Sequence, residues 1–337
     1  MYTRLLLIFG ALLFVTASCE NNPNNSLPGY SGNPGEIIVV VKKSYWSSSV
    51  GDSIRALLGG PLYGLPQPEP TFGLNDIDPA QFNRLFNSHR NLLTITINPT
   101  VAKSEVRTDK SRWSKGQIVV EIVAHDLPSF FELFAESKGQ ILAAFRREEL
   151  KRIIEKNSKF GERQIAEKIK KEHGISLTLQ KDIEVATEAS DFVWLRLERE
   201  RQAGPYQHQI SQGLLIYHYP YTDTSAFDDD KIMAYKDSIT KKHLPGPSDG
   251  SYMAISRRYI APITETFEFR GAYAKEMKGL WRMENDFMGG PFTLLSVYDE
   301  KLNRIVVVEG YVYAPQFDKR EYLREVEAMI KSLELVD

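Results

Sequence analysis

The side chains able to do chemistry are thinly spread along this chain of 337 residues. Its six histidines, His89, His125, His173, His208, His218 and His243, stand far apart, and its one cysteine is Cys19. Metal sites that show in a sequence usually place two nitrogen, sulfur or oxygen donors within about one helical turn. No two of these histidines form such a pair, which leaves only a site assembled from distant residues, and no metal or cofactor is expected. A lone cysteine also excludes an intrachain disulfide and a multi-cysteine metal site. Gly246, Pro247, Ser248, Asp249 and Gly250 match the wording of a nucleophile elbow. An elbow serine follows a strand and precedes a helix, whereas this one follows a helical pattern and precedes a strand pattern. Its proline and glycines suit a reversing loop.

Asp228, Asp229 and Asp230 form the densest acidic run. Their place at a predicted helix start explains them, because free amides and the helix dipole favour negative charge there, and no calcium-loop spacing follows. Two aromatic groups offer more. In the strand pattern at 214–221, Leu215, Tyr217, Tyr219 and Tyr221 share one face. Such a row is either a strand packed on both sides or a platform of ring faces and polar tips for a sugar or peptide. Trp281, Arg282, Glu284, Asp286 and Phe287 run into Met288, Gly289, Gly290 and Pro291, a cluster that reads as a groove lip or as a strand end with a tight turn. The candidate binding residues are therefore Tyr217, Tyr219, Tyr221, Trp281, Arg282 and Asp286, and no catalytic residue is assigned.

The elements that must position these groups alternate between strand and helix. Residues 36–42 (EIIVVVK) read as a buried strand and 50–58 as a helix stopped by Gly59, Gly60 and Pro61. Residues 64–72 (GLPQPEPTF) must run extended because each proline restricts itself and its predecessor. Strands are predicted at 92–98 and 117–124, then a long helix over 130–154 capped by Asp126 with Pro128 in its first turn. A helix at 162–173 ends at Gly174, with apolar Ile175 beyond. Strands follow at 175–179, 192–197 and 214–219, then a helix at 231–243. Further strands at 252–257, 264–269, 292–298 and 304–313 lead to a closing helix at 319–333 capped by Asp318. Short turns between the later strands argue for an α+β fold with mainly antiparallel sheets and helices packed on them, in two similar lobes, 36–174 and 175–337.

The amino terminus speaks to location. Arg4 precedes LLLIFGALLFV (5–15), an apolar run far short of the ~20 residues of a membrane span and suited to a secretory signal over 1–18. Thr16, Ala17 and Ser18 are small residues immediately before Cys19, as in a lipobox, so Cys19 is the expected site of lipid attachment. Residues 19–35 are rich in Asn, Pro, Gly and Ser and read as a flexible tether. The chain carries 42 basic and 44 acidic residues, a net charge of -2. Loss of Arg4 with the signal would leave 41 basic residues and about -3, too little for charge-driven attraction to nucleic acid or to a membrane, so anchoring falls to lipid.

The segments GLPQPEPTF (64–72), HGISLTLQKD (173–182), DFVWLRLE (191–198), QGLLIYHYPYTD (212–223), GLWRMENDFMGGPF (279–292) and VVVEGYVYAP (307–315) carry a wider likeness. With them the chain resembles an uncharacterised family of Gram-negative envelope lipoproteins catalogued as domain of unknown function forty-eight thirty-seven. The resemblance implies an envelope lipoprotein and transfers no activity. The expected function is non-catalytic binding of an envelope protein, glycan or peptide by a lipid-anchored body facing the periplasm or cell surface. The alternative is an envelope hydrolase with a site assembled from distant residues.

Overall fold

The computed structural model describes residues 27–336, so the expected signal, Cys19 and the first part of the tether lie outside the described residues. The last part of that tether is docked. Lys115 N donates to Pro28 O at 2.8 Å and Ser31 N donates to Ser88 O at 3.0 Å. The Tyr30 ring lies against the guanidinium groups of Arg90 and Arg152, at 4.9 and 5.1 Å. Polar composition made this stretch look free as far as Gly35. Backbone pairing and two cation–π contacts fix it from Pro28 onward instead.

The first lobe contains β1 (Glu36–Val40), α1 (Lys43–Trp46), α2 (Ser49–Leu58), β2 (Gly73–Ile77), α3 (Arg84–Asn87), β3 (Asn91–Ile97), β4 (Glu105–Lys110), β5 (Ile118–Ala124) and α4 (Leu127–Phe160). Its sheet has the order β2-β1-β3-β5-β4, parallel throughout except for β4 against β5. Ile37, Val39, Leu93 and Val120 face α2 and α4, packing on Ile54, Phe130 and Phe145. Ile38, Val40, Leu92 and Val119 face the other way, toward Phe82, Phe86 and Trp113. Cover on both faces is why β1 reads as an unbroken apolar run. Asp126 caps α4 as expected, accepting from Ser129 N at 2.9 Å. Farther along α4, buried Glu149 accepts from Arg90 and Asn91, each at 2.6 Å, and from Arg152 at 2.9 Å.

The chain passes to its second core at Gly161, where α4 ends. Next come α5 (Arg163–His173), β6 (Ile175–Ser176), β7 (Glu184–Ala189), β8 (Phe192–Ala203), β9 (Tyr206–Pro220) and α6 (Asp229–His243). They are followed by β10 (Tyr252–Ser256), β11 (Ile263–Phe269), β12 (Ala272–Glu284), β13 (Gly289–Asp299), β14 (Arg304–Tyr313), α7 (Arg320–Lys331) and β15 (Glu334–Leu335). Ile169 of α5 packs with Ile175 and Leu177. The boundary expected near Gly174 therefore moves forward, because the apolar stripe of α5 serves the second core.

An eight-stranded sheet runs β10-β12-β13-β14-β9-β8-β7, with β11 also on β12, and every pair is antiparallel. α7 covers Leu214, Ile216, Val306 and Val308 with Val326 and Ile330. α6 covers the opposite face, placing Ile232 and Ile239 over Leu215, Tyr217, Phe292 and Val307. The α+β reading with mainly antiparallel sheets holds, but the lobes are not alike. Parallel pairing in the first requires crossovers, as the segment carrying α2 supplies between β1 and β2, whereas most of the later strands join through hairpins.

The lobes meet along α7. Its expected cap, Asp318, is not used: Lys319 is the capping position and makes no side-chain cap bond. Buried Glu69, from the proline-rich segment, instead accepts from Lys319 N and Arg320 N at 2.8 Å each. A carboxylate distant in sequence thus satisfies the free amides of this helix start.

Candidate functional site

The six candidate binding residues fall into separate settings. Tyr217 and Tyr219 lie in the core beneath α6. The Tyr219 ring stacks on Tyr235 with centroids 4.0 Å apart. Burial pushes both phenols upward in pKa, Tyr217 most strongly. Tyr221 lies at the sheet end, half-buried, with its ring 4.5 Å from that of Tyr298. The open tyrosine platform is thereby corrected to a packed strand: α6 supplies the cover that the strand's alternation could not reveal. Arg282 is exposed and pairs with Glu284. It lines a charged groove between α6, β10 and β12 together with Asp237, Lys241, Arg257 and Arg258.

Trp281, 2% exposed, enters a different construction. It forms part of the floor of a cleft of about 340 Å³ lined by Trp194, Tyr311, Tyr313, Met253, Met283 and Met288. Leu244, Pro245, Gly246 and Pro247 close one side, and Arg196, Gln209 and Ser211 form a polar edge. Strand periodicity builds the floor, since Trp194, Tyr311 and Trp281 project from β8, β14 and β12. Trp281 Nε1 donates to Val312 O at 3.2 Å and Trp194 Nε1 donates to Tyr311 Oη at 3.1 Å. Trp281 and Tyr311 meet edge to face with centroids 5.5 Å apart. Burial raises the Tyr311 phenol to about 12, although Trp194 opposes the shift, so it stays neutral near pH 7.

Two glycines make room for these rings. A Cβ on Gly213 would stand 1.9 Å from the Tyr311 ring, and one on Gly290 would stand 2.0 Å from Val312 O. The result is a preorganised apolar hollow with a few polar groups at one edge, the general form of a small-molecule or side-chain pocket.

The loop beside the cleft carries the Gly-x-Ser-x-Gly wording. Gly246 N donates to Ser251 O at 2.8 Å, and Gly250 has a positive φ of 68°, as a reversing loop requires. Ser248 Oγ donates to Asp286 Oδ2 at 2.6 Å. That bond and the Phe287 amide hold the Asp286 carboxyl below its usual range. Asp286 therefore fastens the β12–β13 hairpin to the loop, leaving Phe287 fully exposed near the cleft. The residues of this cluster are dispersed: Trp281 and Met288 line the cleft, Arg282 lines the charged groove, and Asp286 acts as a fastener. Sequence reasoning missed Trp194, Tyr311 and Tyr313, whose only signal was alternation on strands assigned to the core.

Two other polar groups stand out in this lobe. Lys236 Nζ and Glu309 Oε1 lie 3.2 Å apart, both fully buried under α6. Neither Glu309 oxygen nor the Tyr217 hydroxyl has a well-aligned hydrogen-bond partner among the described residues. This group is closed to substrate. On the α5 side, one imidazole nitrogen of His173 and carboxylate oxygens of Glu172 and Glu188 lie within 4.8 Å of one another, an arrangement that could hold a metal ion.

Among known proteins, the model of a family described as a domain of unknown function (DUF4837) matches residues 162–332. A second, also described as a domain of unknown function (DUF8532), matches residues 31–158. The chain matches none of the curated proteins. Among solved structures, a point mutant of the protein Mog1 aligns at 10% identity with a TM-score of 0.30, over 49% of this chain and 92% of that one. The Saccharomyces cerevisiae Ran-binding protein Mog1p aligns at 10% identity with a TM-score of 0.31, over 49% and 91%. A structure from Bacteroides thetaiotaomicron aligns at 13% identity with a TM-score of 0.20, over 49% and 46%. Likeness at this level carries no argument about partners.

Proposed function

The chain belongs to the family described as a domain of unknown function (DUF4837), and from that premise we propose that it is a lipid-anchored cell-envelope protein whose second lobe binds an apolar peptide side chain without catalysis. The observation that carries the binding reading is the cleft itself. Its tryptophan and tyrosine rings are held by hydrogen bonds to neighbouring protein groups, so they meet a ligand without first being ordered. Met253, Met283 and Met288 add polarisable surface that adapts to aliphatic or aromatic shapes. A peptide fits this lining better than a glycan, because the polar groups at the edge are already engaged: Arg196, Gln209 and Ser211 all bond to Glu198. The hydrolase alternative has less support, since Ser248 is tied to Asp286 in a reversing loop. The anchor rests on the small residues before Cys19, and the protein would face the periplasm or the cell surface.

Intrinsic tryptophan fluorescence tests the cleft. Short peptides with a central Leu or Phe should shift the emission saturably, and Trp194→Ala or Tyr313→Ala should weaken binding roughly tenfold or more. Equal binding of Asp-centred peptides or oligosaccharides, or turnover of a generic ester, would overturn the reading. For the anchor, mass spectrometry of native membranes should find Cys19 amino-terminal and acylated, and Cys19→Ala should release the protein. An unmodified Cys19 in membrane material would remove the anchor from the proposal.

A further inference from the structure

We propose that Glu172, His173 and Glu188 form a binding site for one divalent transition-metal ion of the zinc class. The three come from two elements, Glu172 and His173 from the end of α5 and Glu188 from β7. Their donor atoms lie within 4.8 Å of one another. Metal–ligand bonds of about 2.0–2.2 Å bring tetrahedral donors to roughly 3.5 Å apart, so the site must contract by about 1 Å. Exposed Glu172 can do this by changing rotamer.

The second observation is independent of the carboxylates. His173 is only 6% exposed, and its buried Nε2 has no hydrogen-bond partner among the described residues. A buried polar nitrogen without a partner is costly unless it serves a ligand. The backbone around it is rigid: Gly174 closes α5 in a left-handed conformation, and Arg304 Nη2 donates to His173 O at 2.8 Å.

Lys168 explains how two neighbouring carboxylates coexist without a metal, because its ammonium bonds to Glu188. That side chain is half-exposed and free to swing into water when an ion enters. One imidazole and two carboxylates suit zinc-class ions better than calcium or magnesium, which prefer all-oxygen sites, and leave coordination positions for water.

Titrating metal-free protein with Zn²⁺ by calorimetry, and with Co²⁺ by visible absorption, should show one saturable equivalent and a ligand-field band. His173→Ala should weaken binding at least about 100-fold, the upper end of what losing a mere supporting partner costs. Lys168→Met, which removes the competing cation, should tighten it. Glu172→Gln changes an exposed residue and supplies a folded variant, checked by circular dichroism, if His173→Ala fails to fold. The proposal is overturned if no equivalent binds, or if His173→Ala and Glu172→Gln bind as the parent does. It is overturned too if Ca²⁺ binds as tightly as Zn²⁺, which would mark a merely acidic surface.

Discussion

The two faces of the eight-stranded sheet bury glutamates in opposite ways. Under α7, Glu327 lies 3.2 Å from Lys278 and 3.6 Å from Arg146, while Glu276 lies 3.0 Å from Lys278 and 2.7 Å from Lys331. Under α6, Glu309 has Lys236 alone as a cationic partner among the described residues. Burial by itself would raise the Glu327 carboxyl, yet Lys278 and Arg146 overcome that and hold it at about 2. For Glu309 burial wins, and its carboxyl stays above the usual range despite Lys236. One cation in a closed apolar layer does not repay the desolvation of two charges, whereas several cations at a partly wet interface do. The α7 face can keep its charges because it forms the joint with the first lobe. The α6 face keeps a pair that leaves hydrogen-bonding atoms unserved.

The largest test breaks the isolated pair. Lys236→Met should cost about 3–5 kcal/mol in urea unfolding, because Glu309 is left buried without a counter-ion, and adding Glu309→Met should recover most of that loss. If the double variant is as unstable as the single one, the pair is better satisfied than its geometry indicates. Acidity gives the next contrast. Glu327, with its folded pKa below the unfolded 4.5, contributes stability that is present above pH 4.5 and lost as pH falls toward 2, roughly 3 kcal/mol over that interval. Glu309 has the opposite sign. Its folded pKa lies above the unfolded 4.5, so its contribution is fully present below pH 4.5 and is lost as pH rises through the raised folded value, where the carboxylate ionises beside Lys236. Unfolding measured against pH should flatten on the acid side in Glu327→Gln and lose the Glu309 decline in Glu309→Gln. Identical profiles in the two variants would erase the distinction.

Within the network, Lys278→Met should cost less than Lys236→Met, roughly 1–3 kcal/mol, since Glu327 keeps Arg146 and Glu276 keeps Lys331. A larger loss than that of Lys236→Met would show that the network depends on one lysine. The smallest effect belongs to the cap that joins the lobes: Glu69→Ala should lower stability by about 1–2 kcal/mol, whereas Asp318→Ala should leave the melting temperature nearly unchanged.

Much of the framework was legible in the residues. Asp126 with Pro128 marked the start of α4, Gly174 with Ile175 marked the end of α5, and the proline and glycines of 246–250 marked a reversing loop. The strands that escaped notice were the charged ones. β4, the outer half of β8 and much of β12 carry Lys, Arg and Glu, and the start of β9 carries Gln and His, so apolar alternation is weak there. The cleft escaped for a different reason. Trp194, Trp281 and Tyr311 lie on three strands far apart in sequence, and nothing local distinguishes a ring at a cleft floor from one filling a core.

The sequence by itself determined the start of α4, the end of α5, which runs must be buried, and that the serine motif sits in a turn. These follow from neighbours a few positions away, where backbone geometry and solvation act directly. Tertiary structure alone decided that Tyr217 and Tyr219 are covered, that Glu69 caps a helix in the other lobe, and that His173 meets Glu188. It also decided that three strands pool their rings into one hollow. Those outcomes depend on which faces pack together, and pairing across a sheet brings side chains within a few ångströms regardless of their separation along the chain.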